Sequence, residues 1–332
     1  MDERFASLLD GLPEPDEAAR AAVGSRAARV LRPRGALAAL DELAVWLAGW
    51  QRSSRPKVDR PALVLFAADH GVASEGVSAY PPEVTASVWE ALKAEVATAS
   101  VMARAVGARP VLVDVGVGNP TANIVHAPAL SASRFLSCFD AGRGAVAALE
   151  ADLIVLGEMG IGNTTAAAAV CSGLFGLQAE HWTGRGTGVD DDTYERKVAA
   201  VEAAASRVPA SAGPLEVLRL VGGAELAALA GAALEARRRS LPIVLDGFVV
   251  TAAVAPLELA RPGALDNCVA GHVSSEPGHR LLLDKLNKKP LLDLELRLGE
   301  GSGALLAVPL IRMAAAAVVE VATFEEWGRA QE

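Results

Sequence analysis

Five times along this chain a short, unbroken apolar run stops in a turn rich in Gly, Asp, Glu, His, Ser or Asn, and a longer helix-like stretch follows. The runs are PALVLFAADHG (61–71), PVLVDVGVG (110–118), DLIVLGEMGIGN (152–163), PIVLDG (242–247) and NCVAGHVSSE (267–276). LLDLELRLGEGSG (291–303) is a weaker sixth before an Ala-rich helix. Strands that stay apolar without alternating are buried on both faces, and their alternation with helices is the mark of a parallel sheet. The expected fold is therefore α/β: a doubly wound, mostly parallel sheet with flanking helices. Residues 1–60 read as helical, with DELAVWLAGW the clearest pattern and QRSSRPKVDRP a linker. We expect a Rossmann-like core over 61–300. The 1–60 and 301–332 segments would form a small helical domain from the two termini.

Composition removes several alternatives. Of 332 residues, 52% are hydrophobic and 21% charged, which excludes a disordered chain. A net charge of -9 and only 4% aromatics argue against a nucleic-acid surface. Cys138, Cys171 and Cys268 form no CxxC pair and read as small buried hydrophobes. His70, His126, His181, His272 and His279 show no metal spacing. The most apolar stretch, 303–319, carries Pro309 and Arg312 and reads as a buried helix, not a membrane span. The opening MDERFASLLD lacks the basic, apolar pattern of a leader, so a cytoplasmic protein is expected.

In an open α/β sheet the ligand lies beyond the C-terminal strand ends. Four segments there carry chemistry. GEMGIGNTT (157–165) follows a strand and opens a helix, so its glycines, Asn163, Thr164 and Thr165 suit an anion or a polar nucleotide edge. An ordinary strand-to-helix turn would use similar residues. Glu158 within it would repel a phosphate and is expected to face another part of the ligand. TGRGTGVDDD (183–192) alternates Gly184, Gly186 and Gly188 before a helix, and Lys197 about two turns in can reach back to a phosphate nest. The acids Asp190–Asp192 would also start any helix. In LRLGEGSGA (296–304), Glu300 sits between Gly299 and Gly301, where desolvation would make it a proton acceptor; a capping role is the alternative. ADHGVASEGVSAYPPEVT (68–85) crowds Asp69, His70, Ser74, Glu75, Ser78 and Tyr80 into a loop suited to a flat ring, before a helix begun by Pro82 and running to about Gly107. His70 is a base or, more commonly for a loop histidine, a structural hydrogen-bonding group. No GxGxxG follows the first strand, which argues against a dinucleotide-dependent dehydrogenase.

Taken together and in order, GVSAYPPEVT, DVGVGNPTANI, GEMGIGNTT, GRGTGVDD, VGGAELAALAGA, PIVLDGFVVTAA, GHVSSEPGH and LRLGEGSGA resemble the nicotinate-nucleotide–dimethylbenzimidazole phosphoribosyltransferases, over roughly residues 60–320. The resemblance implies transfer of the 5-phosphoribosyl group of nicotinate mononucleotide to 5,6-dimethylbenzimidazole, giving α-ribazole 5′-phosphate and nicotinate for cobalamin assembly. It implies Glu300 as proton acceptor and Glu158 as a second active-site carboxylate. It places Gly160, Asn163 and Thr164 on one side of the phosphate, and Gly184, Gly186 and Lys197 on the other. Ser74, Ser78, Tyr80 and Pro82 would border the base. No metal or cofactor is implied, and a homodimer is expected. Two departures are visible: Ser302 replaces the usual Thr, and Pro82 stands where many members carry Gln. The second leaves room for another lower base (adenine, another benzimidazole or a phenolic) or for a non-catalytic nucleotide-binding homologue.

Overall fold

The computed structural model describes residues 2–186 and 188–328; Met1, Thr187 of the second glycine segment and residues 329–332 of the C-terminal segment lie outside them. Six strands form one sheet: β1 (Pro61–Ala68), β2 (Arg109–Gly116), β3 (Leu153–Met159), β4 (Ile243–Leu245), β5 (Cys268–Val273) and β6 (Pro290–Asp293). Their order is β2-β1-β3-β4-β5-β6, and every pairing is parallel. All six apolar runs thus became strands, the sixth included. The helices in chain order are α1 (Asp2–Leu9), α2 (Glu17–Ala27), α3 (Ala38–Gln51), α4 (Val84–Lys93), α5 (Thr98–Val106), α6 (Ala132–Ala147), α7 (Asn163–Phe175), α8 (Ala179–Trp182), α9 (Asp191–Ser206), α10 (Pro214–Val221), α11 (Ala224–Arg238), α12 (Phe248–Ala260), α13 (Pro277–Lys285) and α14 (Ser302–Val319).

The period of two along β1 sorts its side chains between two cores. Ala62, Val64, Phe66 and Ala68 join one core with residues of α6, α7, α11 and α12. Leu63, Leu65 and Ala67 join the other with residues of α3, α4, α5 and α14. Every residue of β1 is buried, which explains its unalternating sequence. The three cysteines are free and buried, and burial pushes the Cys268 thiol up to about 12. Helix α14 is long and apolar enough to cross a membrane, yet Ala304, Leu305, Ala307, Val308 and Ile311 pack it into the second core. Its far end meets α2 and α3 through Val318, Ala19, Val23, Ala44 and Ala48.

Two helix boundaries differ from the sequence reading. The helix expected from Pro82 begins at Val84, with Pro82 in the turn before it. The same stretch is two helices, broken where Glu95 turns left-handed (φ 59°) and Ala97 is extended. No glycine or proline marks this break; its reason is tertiary, because it turns the start of α5 toward Glu300, as described below.

Helices α6 and α11 approach closely because Gly142 and Gly231 have no side chains. A Cβ at Gly231 would clash with the Phe139 carbonyl oxygen, and one at Gly142 with that of Ala228. Gly231→Ala raises intrinsic helix propensity but should lower stability by about 3 kcal/mol, since overpacking outweighs the propensity gain. A urea titration should show a lower midpoint with unchanged slope; an unaltered midpoint would show that the two helices can separate freely.

Candidate active site

The C-terminal edge of the sheet carries two buried carboxylates on different elements. Glu158 is the penultimate residue of β3 and is 6% exposed. Glu300 precedes α14 and is 7% exposed. Glu300 is left-handed (φ 61°), flanked by Gly299 (φ 87°) and Gly301 (φ 78°). A non-glycine residue in this region carries strain, of order 1 kcal/mol, that packing must offset. The packing comes from β3. Gly157 lacks a Cβ, which would lie 2.9 Å from the Glu300 carbonyl carbon, so the turn rests on the strand itself. The Glu300 amide donates to the Glu158 carbonyl oxygen at 3.2 Å.

Burial pushes the Glu158 carboxyl well above the ordinary carboxylate range, helped by the nearby charges of Asp246, Glu225 and Glu300, against the hydrogen bond donated by Asn163 Nδ2. Glu300 is also raised, first by burial and then by Asp246, against the Ala99 amide, which donates to Oε2 at 3.2 Å. That amide belongs to the first turn of α5, which is why the helix break matters.

Asp246, just past β4, holds this arrangement from beneath. Its Oδ2 accepts the Gly301 amide at 3.1 Å and its Oδ1 the Ala304 amide at 2.9 Å, both from the start of α14. His272 Nε2 lies 3.2 Å from Oδ1. The parallel register, Val155↔Val244 and Val244↔Val269, brings residues distant in sequence to one level of the edge.

A cavity of about 390 Å³ opens above these groups. One part is polar. A Cβ at Gly186 would lie 3.4 Å from Lys197 Nζ, 3.8 Å from Thr164 Oγ1 and 3.9 Å from Glu276 Oε1, so these groups converge. Lys197 is 1% exposed, donates to the Gly184 carbonyl at 2.9 Å, and is held below the usual lysine range by burial, against the Glu276 charge. The first residues of α7 and α12 also line the cavity, so two helix N-termini face it. Arg297 lines the mouth, exposed and with no ion-pair partner among the described residues. The other part is apolar, built by Val77, Val84, Val88, Met159 and Leu298 beside Tyr80 and Ser78.

Of the residues singled out in the sequence, Glu158, Gly160, Asn163, Thr164, Gly186, Lys197, Ser78, Tyr80 and Glu300 line this one cavity. Ser74 and Pro82 do not: the Ser74 hydroxyl donates to the Gly71 carbonyl at 2.8 Å on an exposed turn, and Pro82 faces solvent. Gly184 does not line it either, but its bare Cα makes room for Glu276. His70 lies behind the Gly160–Gly162 loop, its Nε2 2.5 Å from Glu225 Oε1, so the structural reading of that histidine holds. Arg185 pairs with Asp191 at 2.5 Å, and Asp190 caps α9. Asp246, His272, Glu276 and Arg297 were not singled out in the sequence. The strand ends LDG and GHVSSE marked the region of the first three, but no spacing rule distinguishes one acid there from another.

A family model described as "Phosphoribosyltransferase" matches residues 12–328. The chain belongs to that family. It is 47% identical to the nicotinate-nucleotide–dimethylbenzimidazole phosphoribosyltransferase of Mesorhizobium japonicum, over 99% of this chain and 97% of that one. It is 45% identical to the enzyme of the same name from Cereibacter sphaeroides, over 98% and 97%. Among solved structures, CobT from Thermus thermophilus superposes with a TM-score of 0.91 at 43% identity, covering 95% of this chain and all of that one. The fold thus agrees with that of a solved structure similar to this chain, and the similarity to these phosphoribosyltransferases runs over nearly the full length.

The raised carboxyls couple the site to stability. A group whose folded pKa exceeds its unfolded value binds protons more tightly in the native state. Its favourable contribution is complete below the unfolded pKa and is lost as pH rises through the folded one. Glu158→Gln removes that loss. The variant should melt higher than wild type at pH 8, and the gap should close near pH 4. A variant less stable than wild type at pH 8 would show that the charged carboxylate is satisfied in the fold.

Proposed function

We propose that this phosphoribosyltransferase transfers the 5-phosphoribosyl group of nicotinate mononucleotide to 5,6-dimethylbenzimidazole, releasing nicotinate and forming α-ribazole 5′-phosphate. The observation that carries the reading is the placement of two desolvated carboxylates, Glu158 and Glu300, between a polar nest and an apolar wall of one cavity. The names of its full-length relatives support it.

The residues divide the work by chemistry. Lys197, Thr164 and the N-termini of α7 and α12 bind the 5′-phosphate, which meets an ammonium, a hydroxyl donor and two helix dipoles. Val77, Val84, Val88 and Leu298 bury the flat benzimidazole. Nicotinate leaves as a neutral pyridine ring from a pyridinium, so the leaving group needs no proton. As that bond breaks, C1′ gains oxocarbenium character, which the carboxylate edge favours electrostatically. One benzimidazole nitrogen attacks the opposite face of C1′ and inverts it. The other nitrogen gives its proton to Glu300, whose raised pKa suits a proton acceptor near neutrality. Asn163 and Asp246 hold the two acids in place.

Glu300→Gln should lower turnover about 10²–10⁴-fold, the usual contribution of a positioned base, with nucleotide binding retained. Nicotinate release, followed by chromatography, and calorimetry read the two separately. The wild-type rate should fall as pH drops through the raised Glu300 pKa, above the range of an ordinary carboxylate. Full turnover by the variant would remove the assigned base.

The apolar wall also bears on the lower base. Adenine would bring ring nitrogens and an amino group against Val77, Val84 and Val88, where they find few partners. In direct competition, dimethylbenzimidazole should be consumed ahead of adenine. Preferential use of adenine would show that the base binds elsewhere in the cavity.

A further inference from the structure

We propose that Glu276 is the acceptor for the ribose 2′- and 3′-hydroxyls of the donor nucleotide, and so selects a ribotide over a deoxyribotide. The assignment rests on the phosphoribosyl-transfer reading above and names a residue for which that mechanism has no role.

Glu276 stands at the start of α13, lines the cavity, and is 7% exposed. Its Oε2 is fully buried and has no hydrogen-bond partner among the described residues, and its Oε1 is the oxygen beside the Gly186 turn of the cavity. A carboxylate so far withheld from water is short of donors, and a ligand hydroxyl at Oε1 supplies one. The fold makes room for it. A Cβ on Gly184 would clash with Oε2 and come within 2.6 Å of Pro277 Cδ. The nearby cation does not satisfy it either, because the Lys197 ammonium donates to the Gly184 carbonyl instead, at 2.9 Å.

The segment carrying Glu276 is fixed. His279 Nδ1 accepts the Ser274 amide at 2.9 Å, and its Nε2 lies 3.1 Å from Thr251 Oγ1. Burial holds that imidazole neutral, with a pKa lowered to about 3. The carboxylate therefore presents Oε1 as a preset acceptor, with Oε2 seated behind it against Gly184.

The chemistry selects the ligand group. A carboxylate repels phosphate and accepts from hydroxyls. Oε1 shares the Gly186 turn with Lys197 Nζ and Thr164 Oγ1, the donors suited to phosphate. In a ribose 5-phosphate the diol and the phosphate are only a few bonds apart. With the phosphate on those donors, the diol falls to the adjacent carboxylate, whose Oε1 has lone pairs for two vicinal hydroxyls.

The test compares nicotinate mononucleotide with its 2′-deoxy and 3′-deoxy analogues. Affinity is measured by calorimetry on wild type, E276Q and E276A, and nicotinate release is followed in parallel with dimethylbenzimidazole. Wild type should bind the ribotide about ten- to a hundredfold more tightly than either analogue, the range of a hydrogen bond to a charged group. E276A should bind all three alike. E276Q, nearly isosteric and able to accept through one oxygen, should keep part of the preference and the wild-type melting behaviour. Equal weakening of all three nucleotides in E276A would overturn the proposal, since Glu276 would then serve only to keep Lys197 charged. An undiminished ribotide preference in E276A, or none in wild type, would overturn it too. Wild type that shows the binding pattern but releases no nicotinate would instead refute the transfer reading and leave the assignment standing.

Discussion

The contact on which the site depends is the seating of the Gly299–Glu300–Gly301 turn on Gly157 of β3. It joins two elements more than a hundred residues apart through backbone alone, with no side chain between them. Three successive left-handed residues would not persist in a free loop. They persist because the strand offers a bare Cα, the Glu158 carbonyl takes the Glu300 amide, and Asp246 takes two amides from the first turn of α14. The same contact brings the two carboxylates side by side. The geometry of the acids follows from how the backbone packs.

That arrangement concentrates negative charge, and the acids differ in how many donors they receive. Asp246 has two backbone amides and the neighbouring His272 ring. Glu158 has the Asn163 amide, and Glu300 has the Ala99 amide. Burial is the largest influence on both glutamates, with neighbouring acids adding to it. Their shifted affinity for protons is therefore built into the fold, and the surrounding structure must offset its cost. The fully bonded Asp246 fixes position, while the under-bonded pair keeps capacity for a ligand.

The central strands were legible because a strand buried on both faces cannot alternate, as β1, β3 and β4 show, whereas the edge strands β2 and β6 are only partly buried and stood out as apolar runs alone. Strand ends were legible for the same reason: polarity returns where the sheet stops. The identity of the site residues was only partly so. Glu158, Glu300 and Lys197 stood out because glycines flank or precede them. Asp246 and Glu276 sit in LDG and GHVSSE without such a signal, and only the register, Val155↔Val244↔Val269, gathers them at one edge. The break between α4 and α5 was hidden because Ala, Glu and Lys favour helix locally, and a contact with Glu300 overrides that preference. Ser74 and Pro82 were drawn in by proximity along the chain to Ser78 and Tyr80, but only the latter two line the cavity.

The loop opposite Glu300 is shaped in the same manner. A Cβ on Gly160 would lie 2.5 Å from the Ala68 carbonyl oxygen, and the His70 ring fills the space beneath. That ring is held by Glu225 at 2.5 Å, and Gly223 gives way to both side chains. Each half of the cavity floor is therefore backed by a buried acid, Glu225 behind Gly160–Gly162 and Asp246 behind Gly299–Gly301. Neither acid need touch a substrate to matter. Each fixes a glycine turn whose amides and neighbouring carboxylates must already be in position when charge develops at the sugar. Groups held this way do not have to reorganise at the moment of reaction, and that is the form in which a folded chain lowers a barrier most effectively.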